Sequence, residues 1–83
     1  MDMYPLTVTC IRLVRLKESL FMGMSNGTIR MYLWPFTNFS IQQQEYVEIA
    51  LHQFSVCQMN ITPDLTFLVS GSEDGSVFIT RLR

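Results

Sequence analysis

The sequence predicts an all-β fold made of two consecutive antiparallel propeller blades, one four-stranded and one three-stranded, which together form an incomplete β-propeller. Short apolar runs with strand-like alternation recur along the 83 residues, separated by turn-forming residues. An Asx-Gly pair lies between two such runs in each half. The second half also repeats the first at an offset of 48 positions, and repeats of about 40–50 residues built from short strands are typical of propellers and related arrays.

The first repeat contains three predicted strands, over 7–14, 20–24 and 28–33. Each is an apolar run rich in β-branched or aromatic side chains, which suit a pleated, half-buried surface. Asn26-Gly27 joins the second strand to the third and predicts a hairpin. We expect a type I′ turn, which needs positive φ at both central residues, a conformation that Gly adopts freely and Asx tolerates.

The segment between the repeats predicts one further strand, the outer strand of the first blade, near Glu45 to Leu51. Alternating apolar and polar residues over 45–49 indicate a half-buried strand. A helix over 41–52 is the alternative, because Gln and Glu favour helices. Residues 34–40 are predicted to form a loop with aromatic anchors, since Pro35 cannot donate to a central ladder.

The second repeat contains strands predicted over 56–62, 66–71 and 76–82. Asp74-Gly75 joins its last two strands in another predicted hairpin turn. The offset of 48 aligns this repeat with the first over more than twenty positions without a gap. Identical residues pair at this offset: Val8 with Val56, Leu20 with Leu68, Gly23 with Gly71, and Gly27 with Gly75.

The domain organisation follows from the repeats. We expect a partial β-propeller over 1–83, with a first blade over 7–51 and a second blade over 52–83 that lacks its outer strand. A repeat of this kind cannot bury its apolar faces alone, and closure of a propeller takes about four blades or more. The chain is therefore expected to be part of a longer propeller, or a truncated product of one.

Composition limits the classes of partner. Six Lys and Arg face seven Asp and Glu, a formal net charge of -1, whereas non-specific nucleic-acid binding needs clustered cations. The longest apolar runs, such as 67–69, are far shorter than the ~20 residues of a membrane span. A basic segment followed by an apolar one, as in a secretory signal, is not visible at the N-terminus. We expect a cytoplasmic protein with no nucleic-acid or membrane partner.

The two cysteines, Cys10 and Cys57, are not expected to form a disulfide framework or a metal site. They lie one residue out of register between the repeats, so alternation along a strand places them on opposite faces of equivalent strands. Two small thiols, buried or half-buried, are the favoured interpretation. No metal and no cofactor are predicted.

A succession of short motifs carries a resemblance to a known family. His52 stands four positions before Val56, a Thr-Pro-Asp turn follows at 62–64, and 69–77 reads Val-Ser-Gly-Ser-Glu-Asp-Gly-Ser-Val. This order resembles a WD-repeat, in which Gly-His precedes the innermost strand, a Pro-Asp turn follows, and Ser-Gly-Ser leads into an Asp-Gly turn. The resemblance covers 52–80, and nearly the whole chain when the first repeat is included.

The resemblance implies that His52, Ser70 and Asp74 belong to a structural hydrogen-bond network. In such a network a buried carboxylate is paired with the imidazole, and a hydroxyl on the middle strand satisfies the other ring nitrogen.

The sequence departs from the WD-repeat pattern at several positions. Thr80 stands where the network has Trp, Arg81 replaces the Asp of the name-giving pair, and Leu51 replaces the Gly before the histidine. The first blade departs further, so we expect apolar packing to hold it without a polar network. Its residues at the network positions are Tyr4, Met22, Asn26 and Tyr32.

A closer resemblance concerns 27–30, a proline a few residues later, 44–46, and 72–75 with Phe78, which are similar to cilia- and flagella-associated WD-repeat proteins. Those proteins are large scaffolds of the motile axoneme. The resemblance implies a non-catalytic, protein-binding scaffold segment in the cytoskeleton of a cilium or flagellum. Its partners would be proteins of a cytoskeletal or axonemal complex, or the remaining blades of a longer propeller.

The residues also allow two other functions to be written. Ser70, His52 and Asp74 can be written as a nucleophile, a base and an orienting acid, but their spacing fits a structural clamp better, so we expect no catalytic residues and no enzyme. The main alternative is a free-standing small β-barrel that binds RNA or a peptide. Its binding residues would be the basic cluster Arg12, Arg15 and Lys17, which otherwise forms a solvated edge that discourages aggregation.

Overall fold

A computed structural model describes residues 6–36 and 44–82. This part of the chain contains seven strands, no α-helix, and one short 3₁₀ turn at Arg15–Lys17 that sequence reasoning did not predict. It contains no helix long and apolar enough to cross a membrane. The strands are β1 (Val8–Val14), β2 (Ser19–Met24), β3 (Thr28–Leu33), β4 (Tyr46–Ala50), β5 (Val56–Ile61), β6 (Phe67–Ser72) and β7 (Val77–Arg81).

The strands form two antiparallel sheets in chain order. The first sheet has the order β1-β2-β3-β4 and the second has the order β5-β6-β7. The predicted all-β class, with four strands and then three, is confirmed. The strand predicted near 45–51 is confirmed in place of the alternative helix. The seven strands lie in two separate sheets. The alternative fold, a single small β-barrel, would need them to close into one sheet.

The two sheets share the 48-residue register down to their irregularities. The β1–β2 ladder shifts between Val8 and Cys10, and the β5–β6 ladder shifts at the corresponding positions, between Val56 and Gln58. A shift of this kind is a β-bulge, which adds one unpaired residue and increases the local twist. Because the bulge recurs at the same register, the sequence repeat is a repeat of structure.

The hairpin turns lie where the Asx-Gly pairs predict them, but their type was wrong. Gly27 and Gly75 have φ of 90° and 88°, while Asn26 and Asp74 are not among the positive-φ residues of the described segments. In each turn the glycine N–H donates to the carbonyl three residues earlier. The Gly27 N–H is 3.1 Å from the Met24 oxygen, and the Gly75 N–H is 3.0 Å from the Ser72 oxygen. This is a three-residue loop with glycine at the left-handed position, so only glycine takes positive φ.

A small apolar core holds the two sheets together. The face of the first sheet that carries Phe21 and Ile29 packs against the face of the second that carries Val56, Met59 and Leu68. Strand β5 lies against β1 and β2. Four side chains are fully buried, those of Phe21, Ile29, Val56 and Leu68. Each Å² of apolar surface removed from water stabilises the fold by about 25 cal/mol.

The outer part of the first sheet is held by aromatic packing. Tyr32 is buried, and its ring contacts Phe36 and Tyr46 at centroid distances of 5.8 and 5.2 Å. The Arg30 guanidinium lies 4.4 Å above the Tyr46 ring, a cation–π contact. Trp34 packs edge-on against Phe36. The predicted network position Tyr4 lies outside the described residues.

Candidate functional site

The candidate site is built around His52, which lies in the connection between β4 and β5. Its backbone N–H donates to the Gly27 carbonyl at 3.1 Å, which fixes the connection to the hairpin turn of the first sheet. Its ring is buried at the second sheet. The ring Nε2 is 2.9 Å from Ser70 Oγ, and Nδ1 is 2.9 Å from Ser76 Oγ. Through its backbone and its ring, His52 therefore joins the first hairpin turn to strand β6 and to the β6–β7 turn.

The number of protons that each group carries determines which atom donates in these hydrogen bonds. The Ser76 hydroxyl donates its single proton to Asp74 Oδ1 at 2.8 Å, so it accepts from His52 Nδ1–H. A neutral imidazole carries one N–H, which leaves Nε2 as the acceptor of the Ser70 O–H. The order of donation is Ser70 to His52 to Ser76 to Asp74.

Asp74 does not take the position that the WD-repeat resemblance implies. It is exposed, and it joins His52 through Ser76 rather than by a direct contact. Its Oδ1 also accepts the Ser76 backbone N–H at 3.0 Å. These two bonds, the backbone one first, hold the pKa of the Asp74 carboxyl below its usual range. Both donors belong to Ser76, two positions after Asp74, a spacing that fits a short exposed turn. The carboxylate therefore stabilises the hairpin turn at its solvent-exposed side.

Ser76 is the site residue that sequence reasoning missed. The available signal was its spacing, since a hydroxyl two residues after an Asx can bond back to that side chain. The first repeat shows the same device, because Thr28 donates both its N–H, at 3.2 Å, and its hydroxyl, at 2.7 Å, to Asn26 Oδ1. The hydroxyl at this position is thus part of the repeat, while the histidine contact belongs to the second repeat.

An aromatic ring covers the imidazole. Phe78 on β7 packs edge-on against the His52 ring at a centroid distance of 4.9 Å. Register places Phe78 opposite Ser70 on β6, so ring and hydroxyl approach the histidine from neighbouring strands. Thr80, at the position of the network's Trp, lies two residues further along the same strand and opposite Leu68.

This arrangement suits a clamp better than a reaction centre. The Ser70 side chain is fully buried, so no substrate can reach its hydroxyl without opening of the sheet. Both imidazole nitrogens are engaged by hydroxyl groups, one on each side. A nucleophile needs access to the scissile group and a base free to take its proton. The geometry instead fixes the connection between the two sheets.

The second structural feature is a cleft of about 620 Å³ lined by residues of β1, β5 and β6 and by Val77 of β7. Cys10 and Cys57 both line it, so the prediction that they lie on opposite faces is wrong. The β-bulges at the start of β1 and β5 interrupt the alternation on which that prediction depended. Burial raises the pKa of the Cys10 thiol. Over 6–36 and 44–82, no group of three His, Cys, Asp or Glu side chains is placed to hold a metal ion.

The predicted basic cluster is not a single surface. The Arg12 guanidinium crosses to the second sheet and donates to the Met59 carbonyl from Nη2 at 3.0 Å and from Nε at 3.3 Å. Arg15 and Lys17 lie in the 3₁₀ turn beyond the end of β1. Arg12 therefore acts as a strap between the sheets, which leaves two of the three cations for the binding role in the alternative function.

We expect Ser70→Ala to lower the free energy of unfolding by about 1–3 kcal/mol, because it leaves the buried His52 Nε2 without a donor. Ser76→Ala is the matched variant, and its loss should be smaller, about 1 kcal/mol or less, since Ser76 is only half-buried and water can replace it. Urea unfolding at one fixed chain concentration measures both. An equal loss for the two variants would contradict the clamp.

Acid should destabilise the fold through two turn carboxylates. Hydrogen bonds from the Thr62 hydroxyl and then the Thr66 N–H lower the pKa of Asp64, as those from Ser76 lower the pKa of Asp74. A depressed native pKa stabilises the fold above the unfolded value of about 3.9, and this contribution is lost as pH falls through the native value. Both groups are exposed, so the effect should be small. Unfolding measured from about pH 5 to pH 2 should show a weaker pH dependence in Asp64→Asn/Asp74→Asn than in the wild type.

In comparisons with known proteins, the chain matches no family model and no curated protein sequence.

Proposed function

We propose that the chain is a non-catalytic scaffold segment of a WD-repeat protein, with its two sheets as consecutive blades of an incomplete β-propeller. The observation that carries the proposal is the 48-residue repeat, which recurs in strand bounds, bulges and hairpin turns. Short strands repeated at this period are the unit of propeller architectures.

The contacts of His52 support the same proposal. A buried histidine between the blade connection and the Ser70 hydroxyl is the kind of clamp that the WD-repeat resemblance implies. It ties the blade connection to the middle strand, which stabilises a stacked pair of sheets. The exposed apolar side chains of β7, Val77 and Ile79, suit contacts with other proteins.

The proposed setting is the cytoplasmic cytoskeleton, and in particular the axoneme of a cilium or flagellum. The partners would be proteins of an axonemal complex or further blades, without nucleic acid, membrane, metal or cofactor. This setting depends on the resemblance at 27–30, 44–46 and 72–75.

Fractionation of ciliated cells that express the tagged protein tests the proposal. The wild type should remain with axonemes after detergent extraction, and Leu68→Ala, which empties a fully buried position, should be lost from them. Gln53→Ala, an exposed change in the blade connection, is the matched control and should behave as the wild type. Recovery of the wild type only in the detergent-soluble fraction would contradict the axonemal setting.

A further inference from the structure

The two sheets contact each other through different faces. The face that each sheet uses has a counterpart, at the 48-residue offset, on the free side of the other sheet. In the first sheet, the face toward the second carries Gly23, Ile29 and Met31. At the 48-residue offset these positions are Gly71, Val77 and Ile79, which share one face of the second sheet and point away from the first. We call this surface the open face of the second sheet, and it is formed by Phe67, Val69, Gly71, Val77 and Ile79.

The exposure of its side chains shows that no described part of the chain covers this face. Ile29 is 0% exposed against the second sheet, while its counterpart Val77 is 64% exposed. Ile79 is 68% exposed, whereas Met31, its counterpart, packs against the core. Contiguous apolar residues at such exposure mark an interaction surface.

The opposite partner surface is exposed along β1, whereas Leu20 and Met24 of β2, which share that face, are buried. The second sheet contacts the first through Val56 and Met59, whose counterparts in the first sheet are Val8 and Ile11. Val56 is 0% exposed, but Val8 is 50% and Ile11 63% exposed. This open face of the first sheet is Val8, Ile11 and Leu13. Each chain thus exposes residues of both the surfaces that form the contact between its own two sheets.

The glycines show how the two surfaces fit. A Cβ placed on Gly23 would lie 2.9 Å from Val56 Cβ and Cγ1, so the missing side chain makes room for this valine. A Cβ on Gly71 would meet nothing within 4 Å. The space over Gly71 therefore corresponds to the space that Val56 fills over Gly23, and the residue equivalent to Val56 is the exposed Val8.

We propose that the open face of the second sheet binds the open face of the first sheet of a second copy of this chain, with Val8 of one copy over Gly71 of the other. This association would continue the contact already present inside the chain, and it is independent of the proposed axonemal function. Because the two faces differ, the association runs head to tail. Such an association produces a ring when its rotation closes, and a filament when it does not.

Sedimentation of the purified 83-residue chain tests this proposal. The wild type should form assemblies of more than two 9.7 kDa chains as concentration rises. Gly71→Arg and Val8→Arg each place a charge on one of the two faces, at positions that are open or half exposed, so both should fold and remain monomeric. Mixed in equal amounts, they should form a 1:1 dimer, since one variant retains each intact face.

The controls separate this result from other associations. Gln53→Arg, an exposed change away from both faces, should assemble as the wild type does. Should Gly71→Arg not fold by circular dichroism, Val77→Arg places the charge on the same face. Self-association of Val8→Arg would indicate a symmetric contact and overturn the proposal. A wild type that stays monomeric across the concentration range would also overturn it.

Discussion

Gly27→Ala should unfold or nearly unfold the chain, while Gly75→Ala should only weaken it. Both glycines have φ near +90°, so alanine is strained at either position, by about 1–2 kcal/mol. Their surroundings differ. A Cβ on Gly27 would clash with the His52 carbonyl oxygen and lie 2.8 Å from that of Phe54, whereas one on Gly75 would meet nothing within 4 Å.

The clash at Gly27 is with backbone that cannot yield at low cost. The His52 N–H is bonded to the Gly27 carbonyl, and the His52 ring is held between Ser70 and Ser76, so movement of the connection breaks the clamp. We expect a loss of about 4 kcal/mol or more, in the range that marks exceptional substitutions.

Urea unfolding of the two variants at one chain concentration measures the difference, and near-ultraviolet circular dichroism reports the aromatic packing. Gly75→Ala is the matched control, because it carries the same backbone strain without the contact. Equal losses in the two variants would mean that the connection does not lie against the first hairpin.

The second large effect is expected at Phe21, which is fully buried at the centre of the contact between the sheets. Phe21→Ala should lower the free energy of unfolding by about 3–5 kcal/mol, from lost burial and from the cavity that remains. Small domains of this length are stable by roughly 0.05–0.15 kcal/mol per residue, so the loss is a large part of the total.

Phe54→Ala removes the same atoms from a side chain that is 49% exposed in the connection, and it serves as the control. We expect it to cost about 1 kcal/mol or less. Thermal and urea unfolding of both variants give the comparison. A cost at Phe54 as large as that at Phe21 would place the core elsewhere.

The strands and turns could be predicted because their signals are local. All seven strands begin and end within one residue of the predicted bounds, since apolar alternation and the Asx-Gly pairs lie within each hairpin. The turn type was not predicted correctly, because the Asn26 and Asp74 side chains bond to the backbone N–H two residues later in a three-residue loop. Such bonding depends on a loop length that the dipeptide alone does not specify.

Other features depend on contacts that local sequence does not encode. The bulges before Cys10 and Gln58 interrupt alternation, so the relative placement of the cysteines was wrong. Gly23 and Gly71 are identical in sequence and in register, yet Val56 fills the space over one while the space over the other is open. The difference arises because the second sheet packs on this face of the first, while over 6–36 and 44–82 no sheet packs on the corresponding face of the second.

The central claim is that corresponding but opposite faces of the two repeats meet, with Val56 over Gly23. Nuclear Overhauser spectroscopy of the chain measures this contact directly. A Cβ on Gly23 would lie 2.9 Å from Val56 Cγ1, so we predict a strong cross-peak between the Gly23 Hα protons and the Val56 methyl protons. A spectrum without this cross-peak, with Val56 methyl contacts confined to its own sheet, would contradict the account.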